Sequence, residues 1–153
     1  MAIDYEFVAD TSMSVTECRS LLMRELALQV FPEHPNPWLA NTGTTVIARP
    51  FEERVFAREV SMEVFGFVPT LKVTIRPVLS AAQFELGAQT TMRVVDLMLR
   101  STTGNAAFAL EYERVLLLRK DGVLYAREDF TNHLNAEDLA MISLPYRFAP
   151  FRP

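Results

Sequence analysis

The chain opens on an alternation. Ile3, Tyr5, Phe7 and Ala9 are apolar while Asp4 and Glu6 are polar, a period of two that predicts a half-buried strand. Ser14 and Glu17 follow in the S-x-x-E spacing of a capping box, predicting a helix that starts there and runs to about Val30. At roughly 100° per residue, Val15, Cys18, Leu21, Leu22 and Leu26 fall on one side of it. Glu25 lands inside the same arc with Gln29 close by, a carboxylate on a core-facing stripe. Pro32, Pro35 and Pro37 then end the helix in a proline-rich bend.

Thr44 to Ala48 is rich in β-branched residues and predicts a strand. Phe51 to Phe65 fits either period. As a helix it stacks Phe56, Val60 and Val64, and as a strand it alternates without clean polarity, so a short helix is preferred. Gly66 then serves as a helix C-cap or a bulge glycine. Thr70 to Arg76 sets Leu71, Val73 and Ile75 against Lys72, Thr74 and Arg76, a strand closed by Pro77.

A linker containing Gly87 leads to a second helix over Thr90 to Ser101. Met92, Val95, Met98 and Leu99 face inward there, opposite Arg93, Asp96 and Arg100, and Gly104 marks the stop. Three strands follow, Ala107 to Tyr112, Arg114 to Arg119 and Val123 to Arg127, the last two joined by Asp121-Gly122 in the manner of a type I′ hairpin. Leu116, Leu117 and Leu118 are consecutive, which predicts a central strand covered on both faces. A short helix near Ala136 to Ile142 and an aromatic tail complete the chain. The fold class expected is α+β: a single domain over residues 1–153, a largely antiparallel sheet with two main helices packed on it.

With 153 residues, half of them hydrophobic, the chain is long enough to bury a real core. A net charge of −4 argues against a general nucleic-acid binder, which carries a basic stripe. Cys18 is the only cysteine, so an internal disulfide is excluded, in keeping with a reducing compartment. The N-terminal MAIDYEFVAD carries three acids and no signal-like apolar region, and no run is long enough to span a bilayer. The expected location is the cytoplasm, with no membrane partner.

The inventory of reactive groups is thin. His34, His133 and Cys18 are too few and too scattered for a zinc site, and Cys18 lies on an apolar stripe where it reads as a small buried hydrophobe. No nucleophile elbow or phosphate-cradling glycine loop occurs. Glu25 reads as a general acid or base held by burial, as the mark of a helix that lifts from the sheet at its C-terminal end, or as a carboxylate paired with an arginine. Catalytic residues, cofactors and metals are therefore not expected.

The acidic residues have another use. If Phe51 to Val64 is helical, Glu52, Glu59 and Glu63 lie within about 20° of one meridian. That makes a narrow acidic ridge suited to a Lys/Arg-rich surface. Glu111 and Glu113 flank the connection into the hairpin and form a second acidic tip. Such charges act on association rate and specificity, while aromatic anchors supply affinity. Trp38, after Pro35-Asn36-Pro37, is the anchor candidate, its alternative being plain packing of the loop. Tyr146, Phe148 and Phe151 either pack as a terminal strand or form a contact patch.

Several stretches together resemble the SitI-type swarm-inhibition immunity proteins of myxobacteria. They are IDYEF with the capped helix, FGFVPT followed by KVTIR, the helix MRVVDLMLR, the hairpin RVLLLRKDGVLYA, the segment LNAEDLAMISLPY and the aromatic tail. FGFVPT is the most distinctive of them. The resemblance implies a small cytoplasmic protein that binds and neutralises the C-terminal domain of a cognate toxin, in a system where several toxins end in nuclease domains. It brings no catalytic residues with it. The partner-binding candidates are thus Trp38, Glu52, Glu59, Glu63, Glu111 and Glu113, on a monomer or weak homodimer. Two other readings stand beside it. One is a small-ligand module or enzyme using Glu25 or Arg93 between sheet and helices, and the other is an oligomerising subunit built on the tail.

Overall fold

The computed structural model describes residues 3–31, 38–41, 44–51, 54–77, 84–111 and 113–151. The Pro32–Pro37 bend, with His34, lies outside them, as does Glu52. Among the described residues nine strands join in one sheet: β1 (Tyr5–Ala9), β2 (Gln29–Phe31), β3 (Trp38–Asn41), β4 (Thr44–Pro50), β5 (Leu71–Pro77), β6 (Ala106–Leu110), β7 (Arg114–Lys120), β8 (Val123–Arg127) and β9 (Arg147–Ala149). Their order is β2-β3-β4-β5-β1-β6-β7-β8-β9. Every pairing is antiparallel except β8 with β9. The α+β class expected from the sequence is the class observed.

Four α-helices among the described residues accompany the sheet: α1 (Val15–Leu26), α2 (Val55–Phe65), α3 (Phe84–Ser101) and α4 (Ala136–Leu139). Ser14 Oγ accepts the Glu17 N–H at 3.0 Å to start α1, satisfying one of the orphan donors of a helix N-terminus. The helix stops at Leu26 rather than near Val30. Ala27 takes a left-handed conformation (φ 52°) and the chain turns straight into β2. Gln29 and Val30 are thus strand residues, because pairing with β3 outweighs one more helical turn.

Strand β1 is central. Its residues pair with β5 on one side and β6 on the other, and all five are buried, where alternation alone predicted one wet face. Tyr5, Phe7 and Ala9 enter a large core with Cys18, Leu22, Met92, Val95 and Met98 from α1 and α3. Val8 enters a smaller core on the opposite face with Phe65, Phe67, Ala107, Ala109 and Val115. The Leu116–Leu117–Leu118 run is resolved by a β-bulge. Phe108 pairs with Leu117 and Ala109 with Val115, leaving Leu116 as the extra residue. Leu116 and Leu117 therefore both belong to the large core, while Leu118 packs on the small one.

Helix α3 begins at Phe84, six residues before the expected Thr90. Gly87 lies inside the helix, not in a linker: a Cβ there would come within 2.9 Å of Pro77 Cβ, so the missing side chain lets α3 approach the end of β5. Beyond the helix, Gly104 passes so close to β1 that a Cβ would meet the Asp10 carbonyl oxygen at 2.2 Å.

Arg119 closes the same end of α3. Buried at 6% exposure, it donates to Leu99 O at 2.6 Å, Gly104 O at 2.8 Å and Thr102 Oγ1 at 2.8 Å. A guanidinium meeting orphan carbonyls at a helix C-terminus satisfies both the acceptors and the macrodipole. Burial lowers its pKa, yet an arginine remains charged at any working pH. Replacing Arg119 with Met keeps the apolar stem and removes every donor, so urea unfolding should show a loss of about 2–4 kcal/mol. A loss below about 1 kcal/mol, the worth of a single ordinary hydrogen bond, would mean that α3 ends stably without this cap.

Candidate functional site

Helix α2 crosses the face of the sheet opposite α1 and α3, which settles the ambiguity of residues 51–65 in favour of helix, starting at Val55. Its C-terminal end is the anchored one. Phe65 is buried, and Gly66 (φ 79°) donates its N–H to Met62 O at 3.0 Å as a left-handed C-cap. Phe67 tilts against Phe65 with ring centroids 6.0 Å apart. Thr70 then ties the segment down, its hydroxyl accepting from Thr11 N at 3.0 Å and lying 2.7 Å from Thr11 O. FGFVPT is thus a structural joint between α2 and β5.

The first turn of α2 is more exposed. Arg54 supplies no side-chain cap, and Val55 and Phe56 are 71% and 77% exposed. Between α2 and the β6–β7–β8 meander lies a groove of about 1000 Å³. Phe56, Val60 and Val64 form its helical wall, Leu110, Val115 and Leu118 its sheet wall, and Phe151 from the tail closes one side. Around this apolar lining stand Glu63, Glu111, Glu113, Arg114 and Arg127. Arg127 Nε is held by Asp129 Oδ1. Glu111 takes a left-handed conformation (φ 50°) with its N–H on Asp4 O at 2.8 Å, so the acidic turn is fastened by its backbone to β1.

Of the sequence-selected residues, Glu63, Glu111 and Glu113 come together at this groove. Glu59 is exposed one turn before Glu63 on α2, outside the lining. Trp38 opens β3, backbone-paired with Phe31, and β4, β5 and β1 separate that strand from β6. Glu25 is exposed and pairs with Arg24 at 3.2 Å, although its neighbour Leu26 packs on the large core. Neither Glu25 nor Arg93 lines the groove. Cys18 contacts Met98 Sδ at 3.8 Å, and burial pushes its thiol up to about 12, so it stays protonated. The tail forms β9, and the Tyr146 and Phe148 rings meet edge-on with centroids 5.6 Å apart. Tyr146 packs on the large core, Phe151 on the small one, and Phe148 alone stays exposed.

Among the described residues no group of three or more His, Cys, Asp or Glu comes together as a metal site, and no helix is long and apolar enough to cross a membrane. A family profile described as SitI3-like matches residues 3–134. The chain belongs to the SitI3-like family. Neither the curated proteins nor the solved structures gave a match. Family membership suggests an immunity-type protein. The SitI3-like region contains α2, β6, β7 and β8, hence most of the groove, whereas α4, β9 and Phe151 fall beyond it.

The carboxylate that sequence reasoning missed is Glu6. It sits on the Val8 face of β1, 7% exposed, and Thr74 Oγ1 donates to its Oε2 at 2.7 Å. Burial raises its pKa, against the pull of Lys72, the Thr74 bond and Arg49. The signal was its place in a strand whose two faces are both covered, which only the pairing with β5 and β6 reveals. Beside it, Arg76 binds Asp4 through two bonds of 2.6 and 2.9 Å, and this pairing lowers the Asp4 pKa.

A raised carboxyl pKa makes its contribution to stability fullest below the unfolded value, and that contribution is lost as pH rises through the folded value. Glu6→Gln keeps an acceptor for Thr74 and removes the buried charge. Thermal melts should show a larger gain in Tm for this variant at pH 7.5 than at pH 4. An equal or smaller gain at pH 7.5 would mean that the nearby cations fully offset the burial of the charge.

Proposed function

We propose that this SitI3-like chain binds the C-terminal domain of a cognate swarm-inhibition toxin and neutralises it by stoichiometric occlusion, residues 1–153 acting as one unit. The family match over residues 3–134 carries the reading. The toxin is taken to be a nuclease, handed between sibling myxobacterial cells by outer-membrane exchange and met in the cytoplasm. Blocking such an enzyme needs a complementary surface on the order of 1,600 Å² in total, and the chain has no need of a reaction centre of its own.

The character of the groove is consistent with that task. It combines exposed apolar side chains with fixed charges, the composition of a binding surface. The carboxyls whose pKa burial raises, Glu6 and Asp138, do not line it. Asp138 instead completes the capping box of α4 with Asn135.

Toxin–immunity pairs reach the tight end of protein affinities. The toxin's C-terminal domain, encoded beside this chain, should co-purify with it as a 1:1 complex by light scattering. A sensitive cell expressing the chain should also survive that toxin. Death of the protected cell at full expression, with no complex recovered, would refute the reading.

A further inference from the structure

Helix α2 is amphipathic in an unusual sense, because its apolar residues point in two directions. Ser61 and Phe65 face the sheet. Phe56, Val60 and Val64 point into the groove instead, with Glu63 at the edge of that second face, about 20° from Phe56 and about 60° from Val60 around the helix. A phenylalanine 77% exposed beside a preformed groove is costly to keep in water unless something covers it.

The charge around the groove selects what covers it. Three carboxylates come from two elements, Glu63 from α2 and Glu111 and Glu113 from the β6–β7 turn. Against them stand two guanidiniums, one of which is already engaged by Asp129. A second copy of this chain, itself acidic at −4, is a poor occupant. A surface with basic side chains around an apolar protrusion suits both the lining and the rim, and a nuclease presents cations where it holds phosphates.

We infer that the groove between α2 and the β6–β7 turn is the docking surface for the toxin domain, taking an apolar side chain against Phe56 and Val60 and flanking Lys or Arg residues on Glu63, Glu111 and Glu113. This rests on the immunity reading and deepens it. The apolar contact supplies affinity, and the carboxylates supply association rate and partner choice. Phe151 lies beyond the family-matched region and forms one wall. The tail therefore contributes to the surface as well.

The test measures binding of the full chain to the neighbouring-gene toxin domain by surface plasmon resonance at two salt concentrations. Phe56→Asp should weaken Kd by about 30-fold or more, the loss typical of a hot-spot anchor. Its side chain is exposed, so its Tm should match the parent's. Glu63→Lys with Glu111→Lys should slow association by about 10-fold and flatten its salt dependence. Met23→Asp, on exposed α1, should bind as the parent does. If the parent binds and protects while Phe56→Asp and the charge reversal stay within threefold of it, the groove is overturned and the immunity reading stands. If the parent itself neither binds nor protects, both fall together.

Discussion

Strand β1 is inserted between β5 and β6 and hands its side chains alternately to two cores, Tyr5, Phe7 and Ala9 to one and Val8 to the other. Each large apolar side chain buried in this way is worth about 1.5–3 kcal/mol. The geometry adds a constraint that the energy alone does not. Partners of β1 arrive from residues 71–77 and 106–110, so neither core closes until both halves of the chain have come to it. Arg119 and Gly104 belong to that closure. One ends α3, and the other lets the following segment pass against Asp10.

The two cores are unequal, and the inequality accounts for the groove. The large core is covered by α1 and α3, the small one by the C-terminal end of α2 with Phe67 and the tail residue Phe151. A helix anchored at one end through Phe65, Gly66 and Phe67 leaves its first turn standing away from the sheet. The β6–β7 pair, with its turn held to Asp4, forms the other side of the groove. The most distinctive stretch of sequence, FGFVPT, contributes Phe65 and Gly66 to the lining of the groove. It holds the helix that forms the groove.

Much of the fold was legible because periodicity and capping are local. The Ser14 cap, the Asp121-Gly122 hairpin with both residues at positive φ, and the TLKVTIR strand lie where the sequence put them. The misreadings share one cause, a tertiary contact overriding a local signal. Gln29 and Val30 left the helix to pair with β3, and Gly87 joined a helix because Pro77 needed the room. β9 is parallel to β8 because the segment from Phe130 through α4 provides the crossover that a parallel pair requires. For the site, the acidic residues of α2 and of the β6–β7 turn were visible as separate charged spots. Their convergence was not, since some fifty residues separate them.

By itself the sequence determined the class of fold, the identity of most elements, the absence of a disulfide and the family to which the chain belongs, because each depends on residue type and near-neighbour spacing. Only the tertiary structure decided which carboxylate is buried and which is solvated, setting Glu6 inside and Glu25 outside, and which face of α2 stays uncovered. Burial is a property of what packs on both sides of a residue, and along this chain those neighbours come from strands and helices far apart in sequence.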